Sequence, residues 1–195
     1  LNAPFVPVYL DLRTIEGAQA ARRFVGEAFA WLALGVGAVT GLGLLFAPWL
    51  VLAIAGGFHE SPQTLAMATD YTRIALPFLA FTTLASLLAA VLNSEGRFLV
   101  AALAPSLLNL VLIAALIVAL ATGMPSTRGA ALIAAAVSFG GALHLLMIAT
   151  ALWHGDMPLV RPRLNWSPAM TRLLRLGGPA LLAASTSQLV LLVST

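Results

Sequence analysis

Residues Leu99 to Thr122 read LVAALAPSLLNLVLIAALIVALAT and contain no charged side chain. A helix of this length extends about 36 Å at 1.5 Å per residue, enough to cross the roughly 30 Å hydrocarbon core of a bilayer. In hydrocarbon, every backbone amide and carbonyl must be paired inside its own segment. A continuous apolar run of this length therefore predicts a transmembrane helix and not the short alternating strands of a barrel.

Four further apolar runs flank this one, two before it and two after it. They are Ala28–Ala55, Ile74–Leu92, Gly129–Trp153 and Leu176–Thr195. The 195-residue chain is 61% hydrophobic and 9% charged, and its mean hydropathy is +0.99. A soluble domain needs far more polar side chains on its surface. The sequence predicts an all-α polytopic membrane protein with about five transmembrane helices.

The composition also limits the chemistry that the chain can perform. Cysteine is absent, which excludes disulfides, thiolate catalysis and cysteine-bound metal. The sequence has no metal-spaced cluster of histidines and carboxylates, no phosphate-binding glycine loop and no GxSxG motif. We therefore expect neither an enzyme nor a bound metal or cofactor.

All ten basic residues are arginines, and they are distributed unevenly between the two sides of the predicted helices. One side receives the segment before the first run, the loop between the second and third, and the segment between the fourth and fifth. That side holds eight arginines, namely Arg13, Arg22, Arg23, Arg97, Arg161, Arg163, Arg172 and Arg175. The other side holds Arg73 and Arg128. The positive-inside rule makes the first side cytoplasmic, and its clusters suit anionic lipid headgroups better than nucleic acid.

Proline positions predict where helices begin and bend. Ser61-Pro62 combines an N-cap hydroxyl with proline at the first helical position, so we expect one helix from Pro62 to Asn93, kinked at Pro77. Ser167-Pro168 repeats the start signal, and the basic, amphipathic stretch 168–176 predicts an interfacial helix on the cytoplasmic face. Gly37 and Gly41 form a small-xxx-small pair, for which packing inside the bundle is favoured over dimerisation.

Few polar side chains interrupt the runs. Asp70 and Arg73 are spaced to pair on one helix face; this pairing, or an interaction of Arg73 with lipid phosphate, is favoured over gating or substrate contact. Pro105 removes the hydrogen bond to the Ala101 carbonyl, and such breaks line cavities or packed interfaces. Asn109 lies one turn further on.

His144 is the one ionisable side chain deep inside a run. A packing role is favoured for it over a proton relay, because no Asp or Glu lies in any run. Ser185 and Gln188 give the last run a polar stripe, and this run is the one that we expect to face a cavity.

Six strings along the chain resemble the MurJ/MviN family of lipid II flippases, within the MOP exporter superfamily. They are FVPVYL (Phe5–Leu10), RIALPFL (Arg73–Leu79), LNSEGRF (Leu92–Phe98), APSLLNLVLI (Ala104–Ile113), RPRLN (Arg161–Asn165) and GPALLAASTSQL (Gly178–Leu189). The strings occur in the family's order. The orientation derived from the arginines agrees with that of the family.

The resemblance implies a two-lobed MOP-type helical bundle. Residues 1–153 would belong to the first lobe, with the end of the family's second helix and four transmembrane helices; 154–175 would form a cytoplasmic amphipathic linker, and 176–195 would begin the second lobe. The chain starts at Leu1 without an initiator methionine and ends inside an apolar run, so we expect it to be an internal fragment.

The family moves the undecaprenyl-pyrophosphate-linked peptidoglycan precursor outward across the bacterial cytoplasmic membrane by alternating access. The partners implied are this precursor, anionic lipids and cell-wall synthesis proteins, with no nucleic acid. A related exporter of other lipid-linked oligosaccharides or small cations, and a noncatalytic scaffold subunit of envelope assembly, are the alternatives.

The resemblance also indicates candidate site residues. The family's cavity arginines lie mainly on helices outside this chain. Four side chains are candidates for substrate contact: Arg73, Asn109, Ser185 and Gln188. Four others are candidates for structural or gating roles: Pro77, Asn93, Arg97 and Pro105.

Overall fold

The computed structural model describes residues 2–55, 61–154 and 162–178, and every regular element in them is an α-helix. This confirms the predicted all-α class. The helices are α1 (Asn2–Ile15), α2 (Ala18–Leu45), α3 (Ala47–Ile54), α4 (Pro62–Ala75), α5 (Pro77–Ser94), α6 (Phe98–Ala121) and α7 (Ser126–Trp153). An eighth, α8, covers 168–178.

Four segments in the described part of the chain are long and apolar enough to cross a membrane. They are α2, the pair α4–α5 taken as one span, α6, and α7. They correspond to the first four predicted runs. The fifth predicted run is described only as far as residue 178. Ser185 and Gln188 lie outside the described residues. The short helix α1 precedes the spans and is separated from α2 by a turn at Gly17.

The first predicted run is wrong as a single helix, because it divides at Phe46 into α2 and α3. Pro48 is the cause: it has no amide hydrogen to bond the carbonyl of Leu44, one turn earlier. The Leu44 carbonyl accepts a hydrogen bond from Arg73 Nε at 3.3 Å instead. A side chain from α4 therefore replaces the hydrogen bond that the proline removes.

The second span begins where predicted and is interrupted at the predicted position. The Ser61 side chain accepts a hydrogen bond from the Thr64 amide, and the span divides at Leu76, immediately before Pro77. At this break the Ile74 carbonyl accepts a hydrogen bond from Ser138 Oγ at 2.6 Å. Since Ser138 lies on α7, a neighbouring helix bonds the backbone at this interruption.

Pro105 does not interrupt its helix. Helix α6 runs uninterrupted from Phe98 to Ala121 with Pro105 inside it. A membrane helix tolerates one missing hydrogen bond, because the bonds before and after it keep the backbone helical. Most of α6 is exposed in the described structure, Asn109 included.

Helix α7 lies at the centre of the bundle and contacts α4, α5 and α6. Two adjacent glycines make this possible. A Cβ atom on Gly140 would lie 2.5 Å from Leu108 Cδ1, and one on Gly141 would lie 2.8 Å from Phe78 Cδ2. Glycine therefore allows α7 to approach a helix on each side, as small residues do in membrane bundles.

The hydrophobic core is concentrated at the end of the bundle that holds most of the arginines. Phe5, Tyr9 and Phe24 are almost completely buried there, and the rings of Phe5 and Phe24 stack with centroids 5.3 Å apart. Residues of α5, α7 and α8 complete the same cluster. A Cβ atom added to Gly37 or Gly41, in contrast, would meet no neighbouring atom within 4 Å in the described structure, so their predicted internal packing partner is not found in it.

Candidate functional site: a polar cluster at the arginine-rich end

Contacts between the connecting segments confirm which of them share one end of the bundle. The Tyr9 hydroxyl of α1 donates a hydrogen bond to Glu95 in the α5–α6 turn at 2.6 Å. Asn165, which comes after α7, donates from Nδ2 to Glu27 Oε1 at the start of the first span, at 3.2 Å. At the opposite end, the Tyr71 hydroxyl donates to the Thr127 carbonyl at 2.9 Å. The arginine count had grouped the segments in the same way.

Tyr9, Arg13 and Glu95 form the most buried part of this end. Tyr9 is 0% exposed; its hydroxyl contacts Glu95 Oε1, and Arg13 Nη2 lies 2.7 Å from Glu95 Oε2. Burial, followed by the hydrogen bond to Glu95 and its negative charge, raises the pKa of Tyr9 above its ordinary value of 10. Tyr9 therefore remains a hydrogen-bond donor at physiological pH.

The α5–α6 turn is shaped to hold Glu95 in this position. Gly96 has a φ of +74°, in the left-handed region that glycine adopts without strain. Its amide donates to the Asn93 carbonyl at 3.0 Å. Arg97 then donates from Nη1 to the Ala151 carbonyl at 2.9 Å, in the last turn of α7, where a cation also complements the helix dipole. These contacts fit the structural roles expected for Asn93 and Arg97, which remain predictions.

Glu27 belongs to this end of the bundle, although no pattern in the sequence had indicated it. It lies inside α2, one position before the predicted first run, and is only 7% exposed. Its Oε1 accepts from Asn165, while Oε2 is buried without a hydrogen-bond partner among the described residues. The Asn165 carbonyl accepts from Trp31 Nε1 at 2.9 Å, and the rings of Trp31 and Trp166 meet edge to face at 5.3 Å. The segment after α7 is thereby held against α2.

Helix α8 continues from this segment and packs on α1. The Met170 amide bonds the Ser167 side chain at 3.4 Å, which confirms the predicted start. Met170 is 4% exposed within the core cluster, and Arg172 Nη2 lies 2.7 Å from Asp11 Oδ2. The polar side chains that make these contacts at the arginine-rich end are here called the polar cluster: Tyr9, Asp11, Arg13, Glu27, Glu95, Arg97, Asn165 and Arg172.

At the other end of the bundle, Arg73 contacts both Asp70 and the backbone. Its Nη1 lies 3.8 Å from Asp70 Oδ1, the pairing that the sequence predicts, and its Nε bonds the Leu44 carbonyl. Both contacts favour a structural role. Substrate contact by Arg73 stays a prediction.

The two contacts of Arg73 can be separated by mutation. We expect Arg73→Ala to lower the free energy of unfolding by about 1 kcal/mol, because it removes a charge-assisted hydrogen bond at the α2–α3 break. Asp70→Ala removes only a long, exposed ion pair and should cost less than about 0.5 kcal/mol. Detergent-induced unfolding of the purified full-length protein measures both values. Equal losses would mean that the Leu44 contact adds nothing.

The remaining candidates make few contacts. Asn109 and His144 form no hydrogen bond with any described residue, and His144 is half-buried in α7. In the part of the chain that the structure describes, no group of three acidic or histidine side chains could hold a metal ion. The polar cluster pairs charges and hydrogen-bonding groups between helices, and its evident role is to join segments.

Four long apolar helical segments, packed around the glycines of α7 and with charged side chains gathered at their ends, define a multi-pass α-helical membrane protein. Over residues 1–195 the sequence matches the family model described as lipid II flippase MurJ. The chain belongs to this family.

Individual relatives agree with the family match. The chain is 34% identical over 196 residues to the lipid II flippase MurJ of Burkholderia cenocepacia, covering 98% of this chain and 37% of the relative. It is 32% identical over 195 residues to the probable lipid II flippase MurJ of Rhizobium meliloti, covering 100% of this chain and 36% of the relative. The chain thus spans a little over a third of the length of these relatives.

Proposed function

We propose that the protein to which this chain belongs transports lipid II, the undecaprenyl-pyrophosphate-linked peptidoglycan precursor, from the inner to the outer leaflet of the bacterial cytoplasmic membrane. The observation that supports the proposal most is the family match over the whole chain. Relatives named lipid II flippase or probable lipid II flippase, each matched along almost the entire chain, add to it. The reaction is transport, with no bond made or broken.

Within this function, the chain contributes helices of one lobe and their connections. The arginine-rich ends anchor these helices to anionic headgroups, and cell-wall synthesis proteins are further partners in the proposal. Alternating access then moves one lobe against the other around the substrate. Of the proposed substrate contacts, Asn109 has an exposed amide on α6 without a hydrogen bond in the described structure, so it is the first to substitute.

The experiment is complementation of a bacterium depleted of its lipid II flippase, using the full-length gene. We expect growth and normal shape to return, and lipid II to become accessible to an external probe at the cell surface. The control is the same gene with a stop codon directly after Thr195, expressed to a matched level. Normal membrane expression without surface lipid II would contradict the proposal.

The same experiment separates the alternatives. Export of another lipid-linked oligosaccharide would restore the surface display of that glycan in the corresponding exporter mutant and not of lipid II. A scaffold subunit would restore neither growth nor surface lipid II in the depleted strain.

A further inference from the structure

An apolar groove lies between α2, α5 and α7, in the half of the bundle near the arginine-rich end. Helices α2 and α7 each pack on α5, so α5 forms the floor of the groove and the other two helices form its walls. Leu88 on the floor is 1% exposed, whereas Leu146 on the rim is 59% exposed. The groove encloses about 650 Å³, within the range of about 300 to 1,000 Å³ found for ligand sites.

The lining of the groove suits an apolar occupant. All of the described residues that line it carry apolar side chains or, at Gly26, no side chain. A water molecule in a cavity needs about two to four polar partners, and these side chains offer none. If the space stayed empty, the walls would lose the contacts that an occupant provides. We therefore expect an apolar chain to fill it.

The length of the groove matches one lipid leaflet. Its α7 wall extends from Ala142, near the middle of the helix, to Ala149, near the arginine-rich end, about 10 Å at 1.5 Å per residue. One leaflet contributes about half of the roughly 30 Å hydrocarbon core. At the deep end, a Cβ atom on Gly141 would lie 3.4 Å from Phe81 Cβ, so α5 and α7 approach closely where the groove ends. A transmembrane helix needs a groove along the whole core, whereas one acyl chain fits this length.

The mouth of the groove carries positive charge. Pro162 lines it and stands between Arg161 and Arg163 in the sequence. Arg163 is exposed and forms no ion pair with any described residue, while Arg161 lies outside the described residues. The three helices of the groove contain one acid, Glu27, which is buried and does not line it. Because a guanidinium can bond two phosphate oxygens at once, the mouth suits a phosphate group above an apolar chain.

We propose that this groove, here called the acyl groove, holds one acyl chain of an anionic phospholipid from the cytoplasmic leaflet, and that Arg163 binds the phosphate of the same molecule. Phospholipid surrounds these helices in the membrane, so it occupies the groove by mass action even when no transported substrate is present. The undecaprenyl chain of lipid II is several times longer than the groove and would leave most of its length outside. The proposal concerns a resident lipid and does not rest on the proposed function.

Photochemical labelling of the full-length protein tests the acyl groove. The protein is placed in phosphatidylcholine vesicles that contain a small fraction of phosphatidylglycerol with a photoreactive diazirine at the end of one acyl chain. After illumination, the labelled residues are identified by mass spectrometry. We expect label on Phe81 and Leu145 at least fivefold above the average over the exposed apolar residues of α6. Equal labelling of the groove and of α6 would mean that lipid only surrounds the protein, and would overturn the proposal.

Two alanines of α7 provide a matched pair of variants. Ala149→Phe places a ring between the walls of the groove and should lower the labelling of Phe81 at least fivefold. Ala135→Phe adds the same ring at an exposed position outside the groove and should leave the labelling within twofold of the wild-type protein. Labelling of α6 serves as the reference for membrane insertion in both variants. Equal labelling of Phe81 in the two variants would contradict the acyl groove.

The headgroup contact is tested without altering the groove. A phosphatidylcholine probe with the same diazirine should label Phe81 of the wild-type protein at least threefold less than the phosphatidylglycerol probe does. Arg163→Gln should abolish this preference, whereas Arg175→Gln, at an exposed arginine of α8, should retain it. If Arg163→Gln keeps the full preference, Arg163 does not bind the phosphate.

Two further results would assign the groove to another occupant and overturn the proposal. If a helix of the full-length protein fills the groove, neither probe labels Phe81. If the groove belongs to a polyprenyl lipid, unlabelled undecaprenyl phosphate displaces the label at a lower concentration than unlabelled phosphatidylglycerol does. Labelling requires no transport, so failure of the acyl groove and failure of the proposed function are distinguishable.

Discussion

Gly141→Leu is expected to lower the free energy of unfolding by about 2 to 3 kcal/mol, the upper part of the range of about 1 to 3 kcal/mol for overpacked cores. The first side-chain carbon alone would lie 2.8 Å from Phe78 Cδ2 and 3.4 Å from Phe78 Cα. The ring can rotate, but the backbone behind it cannot, so α5 must move away from α7. Since α7 holds the bundle together, the separation should spread to the Ser138–Ile74 hydrogen bond.

The measurement is detergent-induced unfolding of the full-length protein, with Gly129→Leu as control. Gly129 is on the same helix, but a Cβ atom there meets only Ala119 Cβ, at an ordinary 3.8 Å. That variant should be nearly neutral, because leucine also favours the helix over glycine. Equal destabilisation at the two positions would mean that loss of glycine, and not helix contact, is responsible.

Glu95→Ala should also cost about 2 to 3 kcal/mol. It removes the carboxylate that accepts the hydrogen bond of the fully buried Tyr9 hydroxyl, and a hydrogen bond to a charged group contributes about 1.5 to 3 kcal/mol. Loss of the half-exposed Arg13 contact adds only a little. Glu16→Ala removes an exposed acid at the end of α1 and should change stability by less than about 0.5 kcal/mol.

A double-mutant cycle identifies the Tyr9 hydroxyl as the cause. Tyr9→Phe in the wild-type background should cost about 1 kcal/mol. In the Glu95→Ala background the same change should cost less, because the hydrogen bond between the two side chains is already absent. Equal effects of Tyr9→Phe in both backgrounds would show that the two side chains are not coupled.

The sequence predicts the spans well because each depends on local composition. The helix start at Ser61 and the interruption before Pro77 depend equally on local sequence, and both are found in the structure. The division of the first run was also predictable in principle, since helices usually end before a proline and Pro48 marks the place. The continuity of α6 through Pro105 could not be predicted in this way. A proline removes one backbone hydrogen bond at either position, but only at Pro77 is the helix interrupted, and there Ser138 of another helix bonds the backbone.

The polar cluster depends on residues far apart in the chain. Tyr9 and Glu95 are separated by 86 positions and Glu27 and Asn165 by 138, so no periodicity or spacing connects them. From the sequence alone, Glu27 would be expected to be a solvent-exposed residue near the end of a helix. In the structure it is buried and bonded to Asn165 in the segment after α7. The sequence did offer one indication, because Asn165 belongs to the RPRLN string that carried the family resemblance.

The hydrogen bonds between distant segments are of two kinds, and each kind predicts a different pattern of variation across related sequences. Arg97 and Arg73 bond the carbonyls of Ala151 and Leu44, which any residue at 151 or 44 would provide. These hydrogen bonds therefore constrain only the two arginines, and the residue types at 151 and 44 can vary. Glu27 and Asn165 are joined by a hydrogen bond between side chains. A substitution at one position removes the partner of the other, so the two positions should covary.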